Sequence, residues 1–303
     1  MFKQIIIVVL FAAMLQGTAF AANFFESRKP VIKKSVIENR LDIVYASLSD
    51  SRNPSDYESP EVFANFREIT TTGMKPKTVY RSSNPVDIKS NKVRHGYADK
   101  LARQAGIKAE IDLADDDNKL QEYFKSAAGR KKYCYGLYKK GKLFNRHIHG
   151  NGLNSSDWPS IAEAFRFMLQ NEAPYLVHCR LGKDRAGFFS MLCSALAGAT
   201  VDDLRKDYMQ TYCNYYHIKP QSYEYEQIKR FQADPIIYYI AHPEYALDKQ
   251  PMPKTISVNG IKPEEAAINF FKTALQLSDT EIEELQAKIK DKDRKRSNGF
   301  SVF

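Results

Sequence analysis

The run His178-Cys179-Arg180-Leu181-Gly182-Lys183-Asp184-Arg185-Ala186-Gly187 carries a thiol and a guanidinium six positions apart, separated by a turn that contains glycine. A thiolate is a strong nucleophile. A guanidinium fork binds two oxygens of one phosphate at once, a geometry lysine cannot copy. The pair therefore fits chemistry on a phosphate dianion, with Cys179 attacking phosphorus and Arg185 reaching back over the anion. Between them Arg180, Leu181, Gly182, Lys183 and Asp184 supply backbone N–H groups that can converge on one point, an arrangement that binds anions. Gly182 permits a backbone shape that a side chain would obstruct. The field that binds phosphate also favours a thiolate, so Cys179 is expected to ionise more readily than a free cysteine.

Two elements must hold this run in place. Pro174-Tyr175-Leu176-Val177 is a short apolar stretch suited to a buried strand, and Phe188 to Ala197 is apolar and helix-permissive. The run is then the junction between a strand and a helix, and the positive end of the helix dipole adds to the loop's field. His178 is expected to fix the loop and the cysteine through hydrogen bonds, not to transfer protons.

His178-Cys179, five intervening residues and Arg185 resemble the signature of the cysteine-based protein tyrosine phosphatases. The Gly182-Lys183-Asp184-Arg185 variant resembles bacterial tyrosine and dual-specificity phosphatases, a group that includes enzymes active on phosphoinositides. Val79-Tyr80-Arg81-Ser82-Ser83-Asn84-Pro85 is similar to that group's upstream Tyr-Arg-Ser element, and Ala105 to Leu113 to its strand leading into an acidic turn. Asp207-Tyr208-Met209 and Asn214-Tyr215-Tyr216 resemble its helix beyond the loop. The resemblance runs from about Val79 to Ile218 with the order of elements kept. It implies an α/β fold of the phosphatase type, a central sheet flanked by helices, and a two-step transfer through a cysteinyl-phosphate. It also implies that Lys183 adds charge for a polyphosphorylated headgroup. Ala186 departs from the pattern, in which a serine or threonine after the arginine donates a hydrogen bond to the thiolate.

The transfer needs an acid to protonate the leaving oxygen and later to activate water. By resemblance Asp112 is the first choice, and Asp115, in the acidic loop it shares with Asp116 and Asp117, the second. Asp157, in Asp157-Trp158-Pro159, is a third carboxylate; its simpler role is to cap a helix that opens near Pro159. Asp184 either acts itself or orients Lys183 or Arg185.

The N-terminus indicates the compartment. One lysine precedes the apolar stretch Ile5 to Leu15, too short to span a bilayer comfortably, and Ala19-Phe20-Ala21 gives a small-x-small cleavage site. A signal peptide over 1–21 and a secreted or periplasmic mature chain are the expectation. That leaves Cys134, Cys193 and Cys213 beside a reactive thiol in an oxidising setting. Cys193 falls on the apolar helix and reads as core, while Cys134 and Cys213 could pair with each other, or one could cap Cys179. No cysteine or histidine cluster has metal-ligand spacing, and neither a metal nor another cofactor is expected.

After the signal peptide, 22–56 reads as an N-terminal arm, 57–235 as the phosphatase domain, and 236–303 as a helical segment packed on that core. Thr200 with Asp203, and Ser278 with Glu281, have capping-box spacing, and Ile282, Leu285 and Ile289 share one helical face. The formal charge of +9, from 45 Lys and Arg against 36 Asp and Glu, favours encounter with anionic ligands. Arg130-Lys131-Lys132 and Lys139-Lys140-Gly141-Lys142 would line the rim of the site, or meet an anionic membrane surface, if their insert lies beside the loop. Nucleic acid is disfavoured, because charge without a recognition motif gives only non-specific affinity. Phosphotyrosine proteins, phosphoinositides and inositol phosphates are the substrate classes that fit. An inositol polyphosphate phosphatase resembling the cysteine phytases, or a phosphate-binding module without turnover, are the alternatives.

Overall fold

In the computed structural model the described residues are 44, 47–86, 93–150, 152–247, 253 and 255–291. Contacts divide the chain after Ile43, and the residues 1–21 expected to form a signal peptide, most of the expected arm and the last charged residues lie outside the described part. Five strands form one sheet: β1 (Arg67–Glu68), β2 (Val79–Ser83), β3 (Ala109–Asp112), β4 (Leu143–Asn145) and β5 (Tyr175–Cys179). Their order is β1-β2-β5-β3-β4, with β1 antiparallel to β2 and every other pair parallel. All five residues of β5 are buried, as befits a central parallel strand covered on both faces.

Ten helices matter to the site. They are α1 (Pro60–Ala64), α2 (Arg94–Gln104), α3 (Asp117–Lys125), α4 (Tyr133–Lys139), α5 (Trp158–Gln170), α6 (Asp184–Ala197), α7 (Val201–Tyr216), α8 (Asp234–Ala241), α9 (Pro263–Thr273) and α10 (Asp279–Ile289). Every residue of α6 from Ala186 to Ala197 is buried. A helix that is apolar all round must be covered all round, and here the sheet covers one side. On the other, Phe189 of α6 stacks on Phe165 of α5 with ring centroids 4.2 Å apart, and Phe271 of α9 lies 4.6 Å from Phe165. Phe188 meets Phe270 of α9 edge-on. The C-terminal helices thus complete the cover of α6. The expected boundary at 235 falls inside α8.

The opposite face of the sheet is covered by α2, α3 and α4, with Leu176 of β5 among Leu101, Ala102, Leu120, Phe124 and Leu137. Side chains alternate along a strand. Leu176 and His178 therefore face this layer, while Tyr175, Val177 and Cys179 face the α6 side. Both expected capping boxes form, Thr200 with Asp203 and Ser278 with Glu281. Because β2, β5, β3 and β4 run parallel, Ser83, Cys179, Asp112 and Asn145 all lie at one edge, where open α/β sheets place their ligands.

Candidate active site

The loop after β5 is held by its carbonyls. Gly182 adopts φ +65°, and a Cβ there would lie 2.1 Å from the Ser82 carbonyl oxygen, so the loop rests directly on the end of β2 and only glycine fits. The Asn84 amide donates to the Arg180 carbonyl at 3.3 Å. The Tyr215 hydroxyl donates to the Leu181 carbonyl at 2.7 Å, and Asn65 Nδ2 donates to the carbonyls of Leu181 and Gly182. Arg81 Nη2 donates to the carbonyls of Gly182 (2.7 Å) and Lys183 (2.9 Å). In a trans peptide the C=O and the next N–H point to opposite sides. Pulling four successive carbonyls outward turns the N–H edges of those planes toward the inside of the loop, the arrangement an anion requires.

An ion cluster around the fully buried Arg81 supplies that pull. Asp207 on α7 pairs with Arg81 (2.6 Å) and Arg67 (3.0 Å). Burial alone would raise its carboxyl, but the two guanidinium groups outweigh burial and hold it below the usual carboxylate range. Tyr215 is backed in turn by the Arg94 guanidinium 4.5 Å from its ring centroid, and Arg94 pairs with Asp50 and donates to the Tyr57 hydroxyl at 2.8 Å. Arg81, Asp207 and Tyr215 lie in segments that the sequence singles out. Asn65 and Arg67 carry no such signal, since their partners are distant in the chain.

Cys179 is 3 % exposed at the base of this loop. Arg185 Nη1 donates to the carbonyls of Leu113 (3.0 Å) and Ile148 (3.2 Å), which fixes one end of the fork. Neither bond uses Nε or Nη2. Ala186 is fully buried and brings no hydroxyl to the cysteine.

The tyrosine phosphatase family model matches residues 61–291. The chain belongs to this family. It is a phosphoric monoester hydrolase, and the matched span takes in the loop, the ion cluster and the C-terminal helices. No curated protein matches it. Among solved structures, the core catalytic domain of the PP-IP phosphatase SIW14 from S. cerevisiae, in complex with citrate, is similar at 19% identity, with 60% of this chain and 94% of that chain covered and a TM-score of 0.33.

The phosphatase places its acidic candidates unequally. Asp112 is fully buried, and its Oδ1 accepts from the amides of Ala114 (2.7 Å) and Asp115 (3.2 Å) while lying 3.7 Å from His178 Nδ1. Burial pushes its carboxyl up to about 7. Since Asp112 is paired with His178, not with Cys179, it sits on the α2–α4 face of the sheet, away from the loop's interior. Asp115 lies at the edge of the loop: Asn84 Nδ2 donates to its Oδ2 at 2.7 Å, and Lys119 Nζ is 3.7 Å from Oδ1. Asp157 is buried at the start of α5, yet its side chain makes no cap. Both its oxygens instead bind His149, at the amide and at Nδ1, each 2.8 Å. The capping role expected of Asp157 is thereby corrected, because the neighbouring imidazole occupies the carboxylate. His149 itself is a residue that sequence reasoning missed. Asp184 takes a long hydrogen bond from Tyr208 and lies 3.7 Å from Lys183 Nζ.

His178 Nε2 lies 2.9 Å from Glu110 Oε1, both fully buried. Burial would depress the imidazole, but Asp112 and Glu110 outweigh it and raise its proton affinity. Its contacts are to β3, so it fixes the cysteine's strand and not the loop backbone. Lys183 Nζ sits 5.1 Å from the Tyr212 ring centroid. The basic rim is corrected in part. Lys139 to Lys142 lead into the starting end of β4, opposite to the edge that holds Cys179, and Lys132 Nζ is engaged by His95. All four cysteines are free thiols; Cys134 and Cys213 do not pair.

Proposed function

We propose that the phosphatase hydrolyses phosphotyrosine in proteins through a cysteinyl-phosphate, with dual-specificity or phosphoinositide substrates accepted by the same loop. The observation that carries this reading is the loop itself, whose carbonyls are bound outward around a buried cysteine, with the Arg185 fork anchored on the Leu113 and Ile148 carbonyls. The thiolate attacks phosphorus, an S–P bond forms, and the P–O bond to the leaving group breaks. Amides and Arg185 stabilise the equatorial oxygens. The leaving oxygen takes a proton from an acid. That acid then removes a proton from water as the water forms a new P–O bond and the S–P bond breaks, returning thiolate and inorganic phosphate.

Of the carboxylates, Asp115 is best placed for the acid role. It lies on the loop's edge through Asn84, whereas Asp112 is sealed beneath the sheet's other face. Asp115→Asn is expected to lower kcat on a phosphotyrosine peptide about 10²-fold. An aryl phosphate with a good leaving group needs less help and should lose far less. A larger loss in Asp112→Asn than in Asp115→Asn would reverse the assignment.

The second reading, an inositol polyphosphate phosphatase, is favoured by two cationic side chains on the same loop, Arg180, which is exposed, and Lys183. Secretion to the medium or periplasm rests on the signal-like residues 1–21. One experiment addresses both: purify the mature protein from the exported fraction, keep it reduced, and compare turnover of phosphotyrosine peptide, phosphothreonine peptide, phosphoinositides and inositol hexakisphosphate. Phosphotyrosine peptide is expected to give the highest kcat/KM. Preference for inositol hexakisphosphate would favour the second reading, and recovery only from the cytosol would overturn the localisation.

A further inference from the structure

Ser83 is the last residue of β2, and in the parallel register its partner on β5 is Cys179. Paired residues on parallel strands project to the same face, with the strands about 4.8 Å apart. The neighbouring pair in this sheet shows the rule at work: Asp112 is registered with His178, and Asp112 Oδ1 lies 3.7 Å from His178 Nδ1. Ser83 and Cys179 therefore share the α6 face, under the loop. Ser83 is fully buried, and its hydroxyl makes no hydrogen bond of acceptable geometry. A buried hydroxyl needs an acceptor, since leaving it unsatisfied is costly. The Tyr215 hydroxyl interacts with Ser83 as a hydrogen-bond partner and with Cys179 through its charge; since its own proton is given to the Leu181 carbonyl, its oxygen and the Cys179 sulfur are the two acceptors open to the Ser83 hydroxyl. At the position where a hydroxyl would follow the loop arginine, Ala186 has none.

We propose that the Ser83 hydroxyl donates its hydrogen bond to the Cys179 sulfur, stabilising the thiolate before attack and again as the S–P bond breaks. This rests on Cys179 being the nucleophile. In that role Ser83 acts from β2, at the register position of the cysteine, and supplies what Ala186 cannot supply from α6.

The test uses the full mature chain. The pH dependence of iodoacetamide alkylation is followed at the Cys179 peptide by mass spectrometry, beside kcat and KM on an aryl phosphate. Ser83→Ala is expected to move the alkylation midpoint up by about one pH unit, the worth of one hydrogen bond to a charged group. It should also lower kcat about tenfold with KM nearly unchanged. Ser83→Thr keeps the hydroxyl and should retain the midpoint, and adding Ala186→Ser to Ser83→Ala should recover it. A folded Ser83→Ala protein with an unmoved midpoint overturns the proposal. Should Ser83→Ala fail to fold, Ala186→Ser alone decides: a satisfied thiolate gains little, so a rise in kcat above about threefold would show that no donor was in place. If alkylation of Cys179 leaves turnover intact, it is the nucleophile assignment that fails.

Discussion

Cys179→Ser is expected to abolish turnover, lowering kcat by at least about 10⁴-fold on every phosphomonoester tested. A serine hydroxyl in the same place stays protonated at neutral pH, and the loop's field is not strong enough to change that. The groups that bind the anion are untouched, because the loop is shaped by Arg81, Asn65 and Tyr215 acting on its carbonyls. Affinity for inorganic phosphate, measured by calorimetry, should therefore stay within about threefold, less than 1 kcal/mol. Loss of turnover with binding kept distinguishes an enzyme from a phosphate-binding module. Turnover retained in Cys179→Ser would refute the nucleophile.

Arg185→Lys is expected to lower kcat/KM about 10³-fold, near 4 kcal/mol of transition-state stabilisation. The guanidinium of Arg185 is anchored by Nη1 to the carbonyls of Leu113 and Ile148, so its remaining donors are presented in a fixed orientation. Lysine keeps the charge but loses the fork, and one ammonium cannot hold both carbonyls and two phosphate oxygens at once. The loss should appear in kcat more than in KM, since charge on the equatorial oxygens is rearranged in the transition state. Equal activity of the lysine variant would mean that charge alone suffices and that the anchoring carries no catalytic weight.

How much of this was legible in the chain depends on how local each interaction is. The strand, the glycine turn and the apolar helix around Cys179 are local patterns of period and propensity, and they form as read, down to the positive φ of Gly182. The two capping boxes are local in the same sense. Asp157 shows where local reading stops. Its position before Pro159 fits a cap, but His149, eight residues earlier, offers two donors and takes the carboxylate. Asp112 and Asp115 are three residues apart and indistinguishable by composition. Strand alternation and the β3–β5 register bury the first beside His178, and the turn carries the second to the loop's edge beside Asn84.

By itself the sequence determined the chemistry available to this protein, because a thiol and a guanidinium at fixed spacing across a glycine turn need only their own strand and helix to meet one phosphate. Which groups support that chemistry was decided by the tertiary structure. The loop carbonyls are held from residues more than a hundred positions away, such as Asn65, and the Lys139 to Lys142 cluster, close to the loop in composition, lies at the other end of the sheet. Distances of that kind are fixed by strand order and register, which no local stretch of residues encodes.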